Sequence, residues 1–520
     1  MTHEARIADA LARLPDYLGG HVLVSMSALL IGLAVSFPLA ILALHRPALK
    51  RILLTAASVA QTIPGLALLA LFYPLLLAVA ALTEQMFGVG FSALGFVPSV
   101  LALALYSMLP VLRNTITGLE GIDPAVTEAA RGVGMTPRQS LSMVELPLAL
   151  PVIMAGIRTA AVWVIGTATL STPIGQTSLG NYIFTGLQTQ NWVFVLFGCI
   201  AAALLALAVD QLLSLMEIGA ARRKRGRIAF GAAGLVCLLA ASLLPSLARQ
   251  VPDYIVGAKP FSEQYVLAAL IQQRLTDAGL SAGSRDGLGS GVIFDALKAN
   301  EIDVYVEYTG TVWANQMQRS DVRPRDEVLR DVTAWLKERH GITVAGGLGF
   351  ENAYALAMPA QRAKALGVRT IADLARHASA LTIAGDYEFF GRPEWAAIRA
   401  AYGLKFKGER TMQPEFMYPA AEAGEVDVIA GYTSDGRIAQ HHLVVLTDPR
   451  QAIPPYDAIV LVSPRRANDR AMLDTLRPLM GAIDVTLMRE ANLRATIAEA
   501  SPGSAAGWLW TEIERRGQKK

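Results

Sequence analysis

Five stretches of this chain, 17–44, 52–83, 85–112, 159–209 and 228–248, contain no Lys, Arg, Asp or Glu at all. A helix needs about 20 mostly apolar residues to cross a bilayer, so each stretch is long enough to span and the fourth is long enough to span twice. Within that fourth stretch, STPIGQTSLGNYIFTGLQTQN (171–191) has the glycines and polar residues of a loop or re-entrant turn. An all-α membrane bundle of about six helices is predicted. The first twenty residues carry Glu4, Asp9 and Asp16 and no early apolar run, so they do not read as a cleavable signal peptide.

The remainder of the chain is of another kind. At 520 residues, with 53% hydrophobic and 17% charged residues, the whole is too apolar for an ordinary soluble enzyme and too charged for a pure bundle. Nine of the 46 Lys and Arg precede residue 221, whereas 32 follow residue 248. The reading is a membrane part over 1–220, a basic segment with a sixth spanning tether over 221–250, and a separate domain over 251–520. A net charge of +3 without a basic stripe argues against nucleic acid. Cys199 and Cys237 lie in apolar runs and read as small core residues, not as a disulfide or metal pair.

Cations mark the cytoplasmic side of membrane proteins. The loops HRPALKR (45–51), EAARGVGMTPRQ (128–139) and RRKRGR (222–227) are basic, and the intervening 83–90 and 172–191 have no Lys or Arg. The alternation predicts an external N-terminus, cytoplasmic basic loops and an external C-terminal domain. After residue 250, β-rich runs alternate with helical ones, as in DYIVGA followed by EQYVLAALIQQRLTDAG. This predicts a two-lobed α/β domain with mainly parallel sheets. Ligands in such folds sit beyond the carboxyl ends of strands, which selects KPFSEQ, EYTGT, DYEFF and YTSDG as cleft segments.

The stretch EAARGVGMTPRQSLSMVELP (128–147) resembles the EAA loop of permeases of the ATP-binding-cassette importers, with Glu128, Ala129, Ala130 and Gly134 at the motif positions. The flanking LPLALPVIMAGIRTA is similar to the glycine betaine and choline branch. Over 251–520, GAKPFSEQYVLAAL, ANEIDVYVEYTGT, FENAYALAM, YTSDGRI and PPYDAIVLV occur in the order found in the substrate-binding proteins of that branch. The resemblance implies a MetI-like permease fused to a type II periplasmic-binding-protein-like receptor in a bacterial inner membrane. It further implies a homodimeric pore, a separate ATPase docked on the EAA loop, and a small trimethylammonium ligand such as glycine betaine, choline or carnitine. Ergothioneine, served by similar fused transporters, is the alternative.

Carried over residue by residue, the resemblance places cage tyrosines at Tyr354, Tyr432 and Tyr456. Tyr308 lies nearby, Thr311 stands where ligand range is tuned, and Gln264 and Asn352 are polar contacts. Ser262 is expected to cap the helix starting near Glu263. Relatives carry one more cage tyrosine where this chain has Val328 or Leu329, so Tyr308, Trp313 or Tyr418 completes the box or the ligand differs. Arg392 serves either a ligand carboxylate or an ion pair, and Tyr418 reads as core or hinge.

No catalytic constellation, cofactor or metal site is expected. His441 and His442 are adjacent, read as a solvated strand start, and lack a ligand cluster. GLGSGVIFD (287–295) lacks the Lys-Ser or Lys-Thr ending of a phosphate loop, and no such loop occurs elsewhere in the sequence. ATP hydrolysis is therefore expected on another subunit. The rival classes are a membrane-anchored solute sensor, which would need a cytoplasmic output domain, and an extracytoplasmic enzyme.

Overall fold

A computed structural model describes residues 3–88, 91–188, 191–248, 252–319, 321, 323–496 and 501–517. The chain divides into two compact units, one built mainly from 3–184 and 193–251 and the other from 252–520.

The first unit is helical. Among the described residues six helices are long and apolar enough to cross a membrane: Arg6–Ala43, Gly65–Phe87, Phe96–Glu120, Pro137–Ile174, Trp192–Ala221 and Arg225–Leu244. The charge-free stretch 52–83 does not form one span. It breaks between the helices Pro47–Thr62 and Gly65–Phe87, because Pro64 cannot donate to the preceding turn. The freed carbonyl of Ile63 accepts from the Tyr106 hydroxyl, and Gln61 Nε2 donates to the Tyr106 carbonyl at 3.0 Å, so polar groups exposed by the break are paired inside the bundle. Small residues set the helix crossings. A Cβ on Gly156 would stand 2.7 Å from the Pro110 carbonyl oxygen, so Phe96–Glu120 and Leu146–Ala168 approach backbone to backbone there. Cys199 and Cys237, expected in the core, are exposed on helices Trp192–Ala221 and Arg225–Ala248.

One ionic group within the spans was not expected from the sequence. Arg158 donates through Nε and Nη2 to the two oxygens of Asp210, at 2.8 and 2.9 Å, and through Nη1 to Glu217 at 2.9 Å. It fastens Leu146–Ala168 to Trp192–Ala221 by a fork that only arginine can supply.

Among its described residues the second unit contains ten strands: β1 Tyr254–Gly257, β2 Ala282–Arg285, β3 Val304–Tyr308, β4 Thr343–Glu351, β5 Tyr354–Pro359, β6 Thr382–Gly385, β7 Gly408–Thr411, β8 Val428–Tyr432, β9 Leu443–Val445 and β10 Asp457–Val462. They form two five-stranded sheets, ordered β2-β1-β3-β10-β4 and β7-β6-β8-β5-β9. The expectation of mainly parallel sheets holds for four strands of each, and one strand in each runs against the others, so both sheets are mixed. β10 runs antiparallel to β3 and β4, and β5 antiparallel to β8 and β9. The reason is the path of the chain, which leaves the first sheet after β4 and returns to it as β10. Each sheet thus receives one strand from the opposite direction, inserted one place from its edge.

The Arg158 fork yields a prediction. Arg158→Ala strands two carboxylates in the bundle and is expected to cost about 2 kcal/mol, somewhat less than the roughly 3–5 kcal/mol of a fully buried pair because the group is partly exposed. Thermal unfolding in detergent should show the loss. Combining Arg158→Gln with Asp210→Asn and Glu217→Gln should recover most of it, since no uncompensated charge remains.

Candidate functional site

In the second unit the carboxyl ends of β1, β3, β6 and β8 meet around a cavity of about 270 Å³. All four segments selected by the strand-end rule reach it. Its wall includes Lys259, Phe261 and Ser262 after β1, Tyr308 and Thr311 at the end of β3, Asp386 after β6, and Tyr432, Ser434 and Asp435 from the end of β8. Asn352, Tyr354 and Tyr456 come from the two places where the chain passes between sheets.

Strand register brings the rings together. Tyr354 opens β5 opposite Tyr432 at the end of β8, and neighbouring side chains on an antiparallel pair face the same way. Their ring centroids lie 4.9 Å apart, and Tyr432 Oη donates to Tyr354 Oη at 3.3 Å. Phe389 backs Tyr354 at 5.2 Å. Tyr456 stands almost perpendicular to Tyr354, with centroids 6.1 Å apart. In the first sheet Tyr308 pairs with Ala458, so continuing that register puts Gly310 against Tyr456. A Cβ at 310 would fall 2.6 Å from the Tyr456 ring, and glycine there is what lets the ring lie down. Burial pushes the phenols of Tyr308 and Tyr456 well above their ordinary range, so they remain neutral hydrogen-bond donors.

Charged side chains hold these rings. Buried Arg392 lies with its guanidinium carbon 5.2 Å from the Tyr354 centroid, and it donates to Tyr354 Oη and Tyr456 Oη at 3.4 Å each. Its Nε also faces Glu394 at 3.4 Å, while Tyr456 Oη donates to the other oxygen of Glu394. On the opposite side Lys259 Nζ donates to Glu307 at 2.5 Å and lies 5.5 Å from the Tyr308 centroid. Asp386 caps the short helix Tyr387–Gly391 by accepting from the Phe389 amide at 2.6 Å.

Six of the seven candidate ligand residues line this cavity: Tyr308, Thr311, Asn352, Tyr354, Tyr432 and Tyr456. Gln264 does not. Its amide is buried behind Tyr308 and donates to Val306 O at 3.0 Å and to Tyr308 Oη at 3.1 Å, which orients the ring from the rear. Ser262 is not the cap of its helix, because Phe261 occupies that position and the serine begins the first turn. Its Oγ is buried on the cavity wall without a hydrogen-bond partner among the described residues.

Of the three residues named as substitutes for the missing tyrosine, Tyr308 alone lines the cavity. Trp313 is buried with its Nε1 donating to Asp321 O at 2.9 Å, and Tyr418 is core, donating to Asp435 at 2.7 Å. Phe261, which the sequence reading passed over, stacks on Tyr308 at 6.3 Å and supplies a further ring. Lys259, Asp386 and Ser434 were also missed, although each lies in a segment the strand-end rule selects. The histidines are not a strand start: both precede β9 in a turn, and His441 meets Glu422 at 2.6 Å. Among the described residues no cluster of His, Cys, Asp and Glu could hold a metal.

In the first unit, residues 124–145 form the segment that carries Glu128, Ala129, Ala130 and Gly134. A helix, Pro124–Gly132, starts with proline in its first turn and the Asp123 carboxylate accepting from Ala125 N. It is ended by Gly134, whose φ of +85° glycine adopts without strain. Thr136 and Gln139 then form a reciprocal cap for Pro137–Ser140, and a π-helical turn, Leu141–Glu145, leads without interruption into Leu146–Ala168. Glu128 and Ala129 are exposed and Ala130 is buried. Val133 is 75% and Met143 65% exposed, in a segment that also carries Glu128, Arg131 and Arg138.

Two family models divide the chain between them. Residues 252–511 match the substrate binding domain of the ABC-type glycine betaine transport system, and 31–219 match the binding-protein-dependent transport system inner membrane component. The ergothioneine transport permease/ergothioneine binding protein of Helicobacter pylori (strain G27) is 28% identical over 479 residues, covering 89% of this chain and 83% of that protein. The choline transport system permease protein of Bacillus subtilis (strain 168) is 38% identical over 197 residues, 38% of this chain and 83% of its own length. A solved glycine betaine/carnitine/choline ABC transporter structure aligns at 25% identity with a TM-score of 0.47, covering 50% of this chain and 99% of that one. The chain belongs to the family of the glycine betaine type substrate binding domains, and it joins that domain to a multi-pass permease as two fused components of one ABC importer.

Proposed function

We propose that the C-terminal unit is an extracytoplasmic receptor that closes on a small solute bearing a trimethylammonium group, of the glycine betaine, choline and carnitine class. The observation that carries this is the set of four tyrosine rings, Tyr308, Tyr354, Tyr432 and Tyr456, lining one cavity, one of them already facing a guanidinium. A trimethylammonium has full charge and no N–H, so acceptors cannot grip it directionally, whereas aromatic faces can. Each ring contributes about 0.5–2 kcal/mol. Four supply several of the roughly 8 kcal/mol that micromolar affinity needs. The cavity, near the lower end of the roughly 300–1,000 Å³ usual for such sites, suits a small solute.

Arg392, Thr311 and the unpartnered Ser262 hydroxyl offer donors for a carboxylate at the solute's other end. That favours a zwitterion such as glycine betaine or carnitine over choline, which has none. A second reading, an ergothioneine importer of the same architecture, is favoured by the Helicobacter pylori relative, because that match runs through both halves of the chain. Ergothioneine also carries both groups.

In this reading two copies form the pore, and a separate ATPase subunit docks on 124–145 of each. The support is that this segment exposes the apolar Val133 and Met143 and carries the charged Glu128, Arg131 and Arg138, the mixture of residue types that protein interfaces use. The alternation of basic loops with loops that lack Lys and Arg supports a cytoplasmic position for that segment and an external one for the receptor.

Calorimetry on the intact protein with glycine betaine, carnitine, choline and ergothioneine tests the ligand. Tyr354→Ala and Tyr432→Ala should each weaken binding roughly tenfold or more, with Tyr→Phe tolerated better. A neutral isostere bound as tightly as the cation would refute the cage. For the docking segment, Glu128→Arg combined with Val133→Asp should abolish uptake in cells that carry the ATPase while solute affinity of the purified protein stays unchanged. Continued uptake would remove that segment from the coupling route.

A further inference from the structure

Glu263 is fully buried in the first turn of the helix Ser262–Asp277, and four donors converge on its carboxylate. Oε1 accepts from Tyr308 Oη at 2.5 Å and from Asn352 Nδ2 at 3.0 Å. Oε2 accepts from Ser434 Oγ at 2.5 Å and from Asn492 Nδ2 at 2.8 Å. A carboxylate offers about four lone-pair positions, and protein groups fill all of them. Glu263 is therefore spent on the protein and not on the solute, although it borders the cavity.

The four donors come from four different parts of the unit. Tyr308 ends β3 of the first sheet, Asn352 lies in the passage from β4 to β5, Ser434 follows β8 of the second sheet, and Asn492 belongs to the helix Val485–Thr496. Asn492 Nδ2 also donates to the Ser434 carbonyl at 2.8 Å, so the serine is gripped through side chain and backbone together. Separating the sheets would take Ser434 away and leave Oε2 short of a donor in a dry setting, where an unmet acceptor is costly. Through Oε1 the same carboxylate fixes the hydroxyl of a cavity-lining ring.

We propose that Glu263 is the latch of the receptor: it ties the closed arrangement of the two sheets, through Ser434, to the position of the Tyr308 ring. It is a positioning residue. Solute binding and lobe closure are then linked by one carboxylate, and solute residence depends on Ser434 even though the serine's bond goes to Glu263. The inference rests on the receptor role of this unit and not on which solute it takes.

Ser434→Ala keeps the Glu263 charge and removes the bond from the second sheet, and Ser434→Thr keeps the hydroxyl. Spin labels at Glu338→Cys and Ala400→Cys, one on each lobe, with Cys199→Ser and Cys237→Ser, report sheet separation in the intact protein without any solute. The expected result for Ser434→Ala is a longer and broader distance distribution, restored by Ser434→Thr. With glycine betaine as probe, dissociation should quicken about tenfold, as befits loss of one charged hydrogen bond, while association is unaffected. Distances equal to those of the unsubstituted serine, or Ser434→Thr behaving like Ser434→Ala, would overturn the latch. Absence of glycine betaine binding in every variant would count against the ligand reading alone, and the distances would still decide the latch.

Discussion

The cavity exists because the chain changes sheets twice, and both changes fall within a few residues of it. Asn352 is the first residue out of the first sheet and donates its backbone amide to Tyr456 O, the last residue before β10, at 3.0 Å. One residue further on, Ala353 O accepts from Thr433 N at 2.9 Å, tying the same passage to the end of β8. The two connections are therefore bonded to each other and to the strand end they face. Tyr354 and Tyr456 are fixed by backbone pairing before any side-chain contact is made. A one-residue slip of β5 against β8 would turn Tyr354 to the other face of its sheet, so the register is what places the ring.

Around those rings the protein buries charge freely and neutralises it with care. Lys259 meets Glu307 and Arg392 meets Glu394, each pair nearly inaccessible to water. Among the described residues no cation pairs with Glu263. Burial pushes its carboxyl up, and hydrogen bonds from Ser434, Tyr308 and Asn492 pull the other way. Buried pairs of this kind are weak sources of stability, since desolvation cancels much of their attraction. Their value here is geometric: Glu394 and Glu263 each hold the hydroxyl of a cavity-wall ring, and Glu307 holds Lys259 on that wall as well as the buried Tyr305. Glu307 accepts from Tyr305 at 3.0 Å, Glu394 accepts from Tyr456, and Glu263 accepts from Tyr308.

The parts of this arrangement that follow local rules were legible in the sequence. Charge-free runs of sufficient length announced six spans, and strand-end segments announced the loops of the cavity. What escaped was set by distant partners. The break at Pro64 is tolerated because Tyr106 reaches Ile63, a contact across 43 residues. Arg158 has no local partner in the sequence, since Asp210 and Glu217 lie 52 and 59 residues away. Gln264 stands beside the right ring but behind it, a matter of one helical position. Asn492 belongs to a tail with no motif of its own. The mixed sheets follow from the return of β10, which no hydrophobic pattern records.

The membrane unit shows the same economy in one dimension. Pro137–Ser140, Leu141–Glu145 and Leu146–Ala168 are consecutive, so the exposed segment at 124–136 is joined to a spanning helix by an uninterrupted rod. The π-helical turn at its base accommodates one residue more than an α-helix would, and Ser140 Oγ bridges it by donating to Glu145 at 2.7 Å. Higher along the rod, Arg158 clamps it to Trp192–Ala221. Helical hydrogen bonds resist stretching far better than a loop does. A displacement applied to the rod at Pro137 would thus be carried along Leu146–Ala168 to the Arg158 fork and shared with a second span, where a flexible connector would absorb it.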